Sequence, residues 1–326
     1  MASHEPARDT REKNLATGQL VSAFRINEHI GTGGMGWVFR AEHVLEGHVV
    51  ALKVLRADQL TQDRSIDRMM REATVLASVA HPGIPRFYEC GVLPDRRPWI
   101  AMELVEGASL AGSIARGPVR PLDVLDVIAH VSDVLASAHA HGVTHRDIKP
   151  DNIILTPDDV FPVRLIDWGI AHYLAGARYT NMNEAIGTPT YMAPEQARGG
   201  PTDGHCDVYG LGVVAYHALS GRPPFLGGTS VEILVQHLNR PLPALAPRCS
   251  APRELIDLVE KMLIKNFEDR PNALEVRGMA NALREELGGP PIYDDSTIEA
   301  IPVTVHHERS AATKQFRTPR YDDDDV

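Results

Sequence analysis

The chain of 326 residues is poor in cysteine: three, at positions 90, 206 and 249, far apart and without metal-ligand spacing. That argues against a disulfide framework, and buried thiols in a reducing cytoplasmic compartment are expected. Long apolar runs are missing too. The longest, residues 210–219, is about half of the roughly 20 residues that a spanning helix needs, so no membrane span is expected. The opening stretch MASHEPARDTREKNLATGQL has no apolar centre and does not read as a signal peptide. Positive charge is not in excess: 33 Lys and Arg face 43 Asp and Glu, a net charge of −10. This disfavours a general binder of nucleic acid or anionic membranes. No internal repeat is visible.

What is present is ordinary globular material, 43% hydrophobic and 23% charged, enough for a sizeable core. Residues 1–20 are polar and aperiodic and read as a flexible extension. Residues 21–104 read as strand-rich with one helix. The run 49–55 (VVALKVL) suits a strand. Residues 65–79 carry apolar side chains at helical spacing. From 105 to 287 helices dominate, with clear amphipathic segments at 121–141, 252–263 and 272–287. Gly288-Gly289-Pro290-Pro291 ends that pattern. Residues 288–326 read as a disordered acidic tail with one extended-looking run at 298–305. The fold class is therefore α+β and bilobal, a small β-rich lobe followed by a larger helical one. The fifteen histidines show no zinc spacing and read as surface or capping residues.

Five motifs carry chemistry. Gly31, Gly33 and Gly36 form G-x-G-x-x-G, followed by Trp37-Val38. Backbone without side chains can close over phosphates and offer N–H groups. A dinucleotide fold would open a helix here; Trp37-Val38-Phe39-Arg40 continues as strand, so the loop joins a hairpin. Lys53, in V-A-L-K, is costly in a buried strand unless paired, and Glu72 on the 65–79 helix is its expected partner. His145-Arg146-Asp147-Ile148-Lys149-Pro150-Asp151-Asn152 is the most specific motif. Asp147 can accept a hydroxyl proton, Lys149 can steady a phosphoryl group, and Asn152 can bind a metal through its amide oxygen. Asp167, in D-W-G fifteen residues on, supplies a carboxylate for a hard cation. Residues 187–195, GTPTYMAPE, complete the set.

Together these resemble the eukaryotic-type (Hanks-type) Ser/Thr protein kinase family, and bacterial members in style, over about residues 21–287. The resemblance implies transfer of the γ-phosphoryl group of ATP to Ser or Thr of protein substrates, with Mg²⁺ (or Mn²⁺) held by Asn152 and Asp167. By position it implies that Ile30, Val38, Ala51 and Ile154 border the nucleotide. Met102 matches the gatekeeper, and Glu103 to Val105 the hinge whose backbone binds adenine. Lys53 would hold the α- and β-phosphates. Leu76, His145 and Trp168 match an internal apolar stack, Trp168 standing where Phe is usual. Glu195 is expected to pair with Arg270, and Asp207 to brace the catalytic loop.

Two other readings are weighed. A pseudokinase scaffold would have lost Lys53, Asp147, Asn152 or Asp167, and all are present. A small-molecule kinase would lack the segment 188–195 that builds a protein-substrate platform. Lys149 and Thr188 favour Ser/Thr over Tyr as acceptor. Arg146 beside Asp147 resembles kinases switched on by loop phosphorylation. Thr180 is the expected site, modified in trans by a second copy, with Tyr173, Tyr179 and a charge substitute at Glu184 as alternatives. Residues 317–320 before the acidic end invite a pseudosubstrate reading, against the simpler one of a solvated tail.

Overall fold

The computed structural model describes residues 15–33, 36–56, 63–157, 161–168, 189–200 and 202–288, with the side chains of 63–69 and 72 outside that description. The N-terminal part is one antiparallel six-stranded sheet in the order β1-β2-β3-β4-β6-β5. Its strands are β1 (Leu20–Val21), β2 (Phe24–Gly33), β3 (Gly36–His43), β4 (Val49–Leu55), β5 (Phe87–Val92) and β6 (Pro98–Glu103). Helix α1 (Asp63–Ser78) follows β4.

Strand β4 shows why the sheet forms. Side chains alternate between faces with period two. Val50, Leu52 and Val54 enter a core with Phe24, Ile26, Phe39 and Trp99. Leu55 joins the other core, which runs into the helical part. Lys53 shares the face of Leu55, so the alternation that buries one side delivers the lysine to the cleft.

The C-terminal part is built on α3 (Pro121–Ala140) and α5 (His205–Ser220), around which lie α2 (Leu110–Ile114), α4 (Pro194–Ala197), α6 (Ser230–Asn239), α7 (Arg253–Met262) and α8 (Ala273–Glu286). Proline at N1 starts α3, where its missing N–H costs nothing. Asn272 and Glu275 cap the start of α8 reciprocally, satisfying two orphan donors. A three-stranded sheet, β7 (Ala108–Ser109), β8 (Ile153–Leu155) and β9 (Val163–Leu165), lies in the order β7-β8-β9.

Several expectations shift. The N-terminal extension does not run to residue 20. Leu15 is buried in the small-lobe core, the Gly18 N–H donates to the Ile26 carbonyl, and Leu20 already pairs with Arg25. A leucine among polar residues finds an apolar seat that periodicity does not reveal. Residues 1–14 lie outside the described residues, as do 289–326 with the extended-looking run and the acidic end. The expected 65–79 helix spans Asp63–Ser78. Helix α5 has buried residues on every side, so it shows no amphipathic period.

Candidate active site

Helix α3 leads into a loop whose shape is fixed from α5. Asp207, 1% exposed, accepts from the backbone N–H of His145 (2.8 Å) and of Arg146 (2.6 Å), and from His139 Nε2 (2.9 Å). Burial would push its carboxyl up, but the hydrogen bond and charge of His139 hold it below the ordinary range. Arg146 sits at φ +66°, a conformation that non-glycine residues adopt at a cost. Its peptide is pinned on both sides: Asp207 takes its N–H, and Gln196 Nε2 donates to its carbonyl at 3.0 Å. Gln196 is itself fixed by accepting the Ala193 N–H at 2.9 Å.

The next residue is Asp147. Lys149 Nζ donates to its Oδ2 at 2.6 Å. Asn152 Nδ2 donates to its carbonyl at 2.8 Å and to Oδ2 at 3.2 Å. Both bonds use the amide nitrogen of Asn152, so its oxygen is the atom left to face a cation. Strands β8 and β9 bring the second acidic group alongside. Ile153 pairs with Leu165, and the Ile166 N–H donates to the Asn152 carbonyl at 2.9 Å. Antiparallel pairing thus sets Asn152, before β8, beside Asp167, after β9.

Asp167 has φ +63° and forms an ion pair with Lys53. Burial would raise its pKa, but the charge and hydrogen bond of Lys53, together with the charges of Lys149 and His145, hold the carboxyl below the usual range. Below it, His145 Nε2–H donates to the Ile166 carbonyl at 3.0 Å, and the His145 ring lies 4.8 Å from Trp168. Trp168 is 5% exposed, and its indole N–H donates to the Leu165 carbonyl at 2.8 Å. A phenylalanine has no such donor. Leu76 and Trp168 belong to one buried cluster, as the expected apolar stack requires.

Among the residues expected to border a nucleotide, Val38 pairs with Lys53 and Ala51 with Met102. Ala51 and Ile154 are close to fully buried, whereas Ile30 is exposed. Glu103 Oε2 accepts the Arg86 N–H at 3.0 Å, which turns its side chain to structural use. Gly107 is held at φ +156°, where a Cβ would lie 2.4 Å from the Leu155 carbonyl oxygen; it lets the chain pass close over Ile154. Of the three loop glycines, only Gly36 is demanded by packing, since a Cβ there would lie 2.1 Å from the Val54 carbonyl oxygen. At Gly33 a Cβ would meet nothing within 4 Å, and at Gly31 only Val38 at 4.0 Å. Among the described residues nothing crowds those two, which suits the expected phosphate loop.

Beyond the loop, Pro189–Tyr191 forms a single 3-10 turn and leads into α4. Glu195 and Arg270, both buried, make a bidentate pair at 2.6 and 3.1 Å. Arg270 also donates to the carbonyls of His205 and Ile264 at 2.6 and 2.8 Å.

The structure therefore brings Lys53, Asp147, Lys149, Asn152 and Asp167 together. Glu72 lies on α1 with its side chain outside the described residues. Gly169, Tyr173, Tyr179, Thr180, Glu184, Gly187 and Thr188 also lie outside them. The histidines are not all surface or capping residues: His130, His145 and His237 are buried, each taken into the core by a hydrogen bond to a backbone carbonyl. Among the described residues, His43, Glu46 and His48 are the one group with metal-ligand composition. Their imidazole planes are parallel within 7° at 5.1 Å, so the two rings do not converge on one ion. His43 Nδ1 instead accepts the Glu46 N–H at 3.1 Å, capping the turn. Sequence reading misses His139, Gln196, Gly107 and His237, whose roles depend on partners far along the chain.

Residues 24–280 match the protein kinase domain family. The chain is 35% identical over 314 residues to the serine/threonine-protein kinase PknB of Mycolicibacterium smegmatis, covering 92% of this chain and 50% of the relative. It is 34% identical to PkaA of Streptomyces coelicolor, covering 84% of this chain and 52% of the relative. The chain thus spans about half the length of these relatives. Among solved structures, the PknI kinase domain of Mycobacterium tuberculosis superposes with a TM-score of 0.66 at 28% identity, covering 84% of this chain and all of that one.

Proposed function

The chain belongs to the protein kinase domain family, and from that premise we propose that it transfers the γ-phosphoryl group of ATP to Ser or Thr hydroxyls of protein substrates. The observation that carries this reading is the convergence of Lys149 and Asn152 on the Asp147 carboxylate, at 2.6 and 3.2 Å, beside the Lys53–Asp167 pair. Asp147 accepts the proton of the attacking hydroxyl and aims its oxygen. Lys149, held by Asp147 until substrate arrives, moves its ammonium onto the transferring phosphoryl oxygens, where charge spreads in a loose transition state. Lys53 leaves Asp167 to hold the α- and β-phosphates.

The donor set fits a small hard cation: one carboxylate at Asp167 and one amide oxygen at Asn152, with phosphate oxygens and water completing the shell. Mg²⁺ or Mn²⁺ there would neutralise charge on the phosphates. The Asp167 carboxyl, held in its charged form by Lys53, is ready to receive it.

Ile30, Gly31, Gly33, Gly36, Val38, Ala51, Met102, Glu103, Val105 and Ile154 are assigned to the nucleotide, Lys53 to its phosphates, and Glu72 to orienting Lys53. Control by phosphorylation of Thr180 in trans, with Arg146 among the ligands of the phosphate, extends the reading and implies transient self-association. Three free cysteines are compatible with a reducing cytoplasm. Among the described residues no helix is long and apolar enough to cross a membrane.

The test is ATP-dependent transfer of labelled phosphate to a generic basic protein with Mg²⁺. Asp147→Asn should lose roughly 10²–10⁴-fold in rate, the usual contribution of a positioned base, with an unchanged melting temperature. Near wild-type transfer by that variant removes the assignment.

A further inference from the structure

His237 lies on α6, at 0% exposure, 47 residues beyond Thr190 in the chain. Its Nε2 is 3.0 Å from the Thr190 carbonyl oxygen and its Nδ1 is 3.0 Å from the Tyr209 hydroxyl. A carbonyl only accepts. Nε2 therefore carries the proton, and in the neutral ring Nδ1 must accept from the Tyr209 O–H. Burial pushes the His237 pKa down to about 4, so the neutral ring is the form present near pH 7. The Phe225 ring packs edge-on at 4.8 Å, and Lys265 Nζ donates to the His237 carbonyl, fixing the backbone that carries the imidazole.

The far side of this contact matters most. Thr190 is the middle of the 3-10 turn Pro189–Tyr191, in the segment assigned above to the protein-substrate platform. Tyr209 stands on α5 two residues after Asp207, with the Arg270 guanidinium 4.9 Å from its ring. One buried imidazole thus ties the platform turn to the helix that braces the catalytic loop.

We propose that His237 is a positioning residue for protein substrates, holding the Thr190 carbonyl so that the 189–191 turn is set against the catalytic loop. This rests on the kinase reading above. His237 touches no reacting atom and lies away from the nucleotide groups, so its effect should separate protein substrate from ATP.

The experiment uses the full chain with Mg-ATP and a protein substrate. KM for each substrate, kcat and substrate-independent ATP hydrolysis are measured for wild type, His237→Phe, His237→Gln and Tyr209→Phe. Phe keeps the ring and removes both hydrogen bonds. Gln restores an N–H donor toward Thr190. The expected result is a protein-substrate KM raised about tenfold in His237→Phe, with ATP KM and basal hydrolysis within about twofold of wild type, and substantial recovery in His237→Gln. Should His237→Phe fail to fold, Tyr209→Phe, which removes one hydroxyl, should raise the protein-substrate KM about threefold and leave ATP KM alone. Unchanged protein-substrate KM in the folded variants overturns the inference. So does a parallel loss of basal hydrolysis, which would mark a general structural role. A wild-type chain that transfers no phosphate removes the kinase reading and this inference with it.

Discussion

Asp147 and Asp167 both have a cation at hand, yet their surroundings prepare them differently. Asp147 accepts from Lys149 and Asn152 within the same loop, whereas Asp167 is reached by a lysine 114 residues away. The Glu195–Arg270 pair shows a third case, buried and remote from the chemistry. Removing one partner there leaves an uncompensated charge in the core. Glu195→Ala should therefore cost about 3–5 kcal/mol, read by urea unfolding, and a loss under 1 kcal/mol would show that the carbonyls of His205, Ile264 and Lys265 suffice for Arg270. At this scale the site is largely legible in sequence, because Asp147, Lys149 and Asn152 lie within six residues and their types name their chemistry. His237 is not legible. Its partners stand 28 and 47 residues away, and a lone histidine on a helix reads as a surface residue.

Among the elements, the β2–β3 hairpin separates two uses of glycine that the motif alone merges. Gly36↔Leu55 is a cross-strand pair, and the second Cα hydrogen of the glycine is all that the Val54 carbonyl leaves room for. Gly36→Ala should force the hairpin off β4 and lower the melting temperature by several degrees, since strain from overpacking commonly costs about 1–3 kcal/mol. Gly33→Ala meets open space and should leave the melting temperature within a degree or two while raising the KM for ATP. Equal melting temperatures in the two variants would refute the distinction. Helices α3, α7 and α8 are legible because their apolar residues recur at helical spacing, even though α3 also buries His130, Ser132 and Asp133 on its other sides. Helix α5 escapes the same search because it is buried all round, and α6 because only His237 on it is buried.

For the molecule as a whole, the buried histidines set the acid limit of stability. Burial pushes both His130 and His237 from 6.5 down to about 4. Between those values the unfolded chain takes up protons that the folded chain refuses. Stability is therefore fully present above about pH 6.5 and falls as pH drops toward 4, by up to about 1.4 kcal/mol per pH unit for each histidine. The carboxyls of Asp133, Asp167 and Asp207 are held below their ordinary range, so their contribution is lost only below about pH 4. Urea midpoints should be level from pH 8 to 7 and decline steeply from 6 to 4.5. A midpoint unchanged at pH 4.5 would contradict the burial of these rings. The salt link between Lys53 of the small sheet and Asp167 of the helical part has a dynamic consequence. It spans the cleft, and on the function proposed above each partner would also have a berth in the loaded state, the lysine on phosphate and the aspartate on metal. Loading and emptying would then be a swap of counterions, so that neither charge is stranded in a half-dry crevice between turnovers.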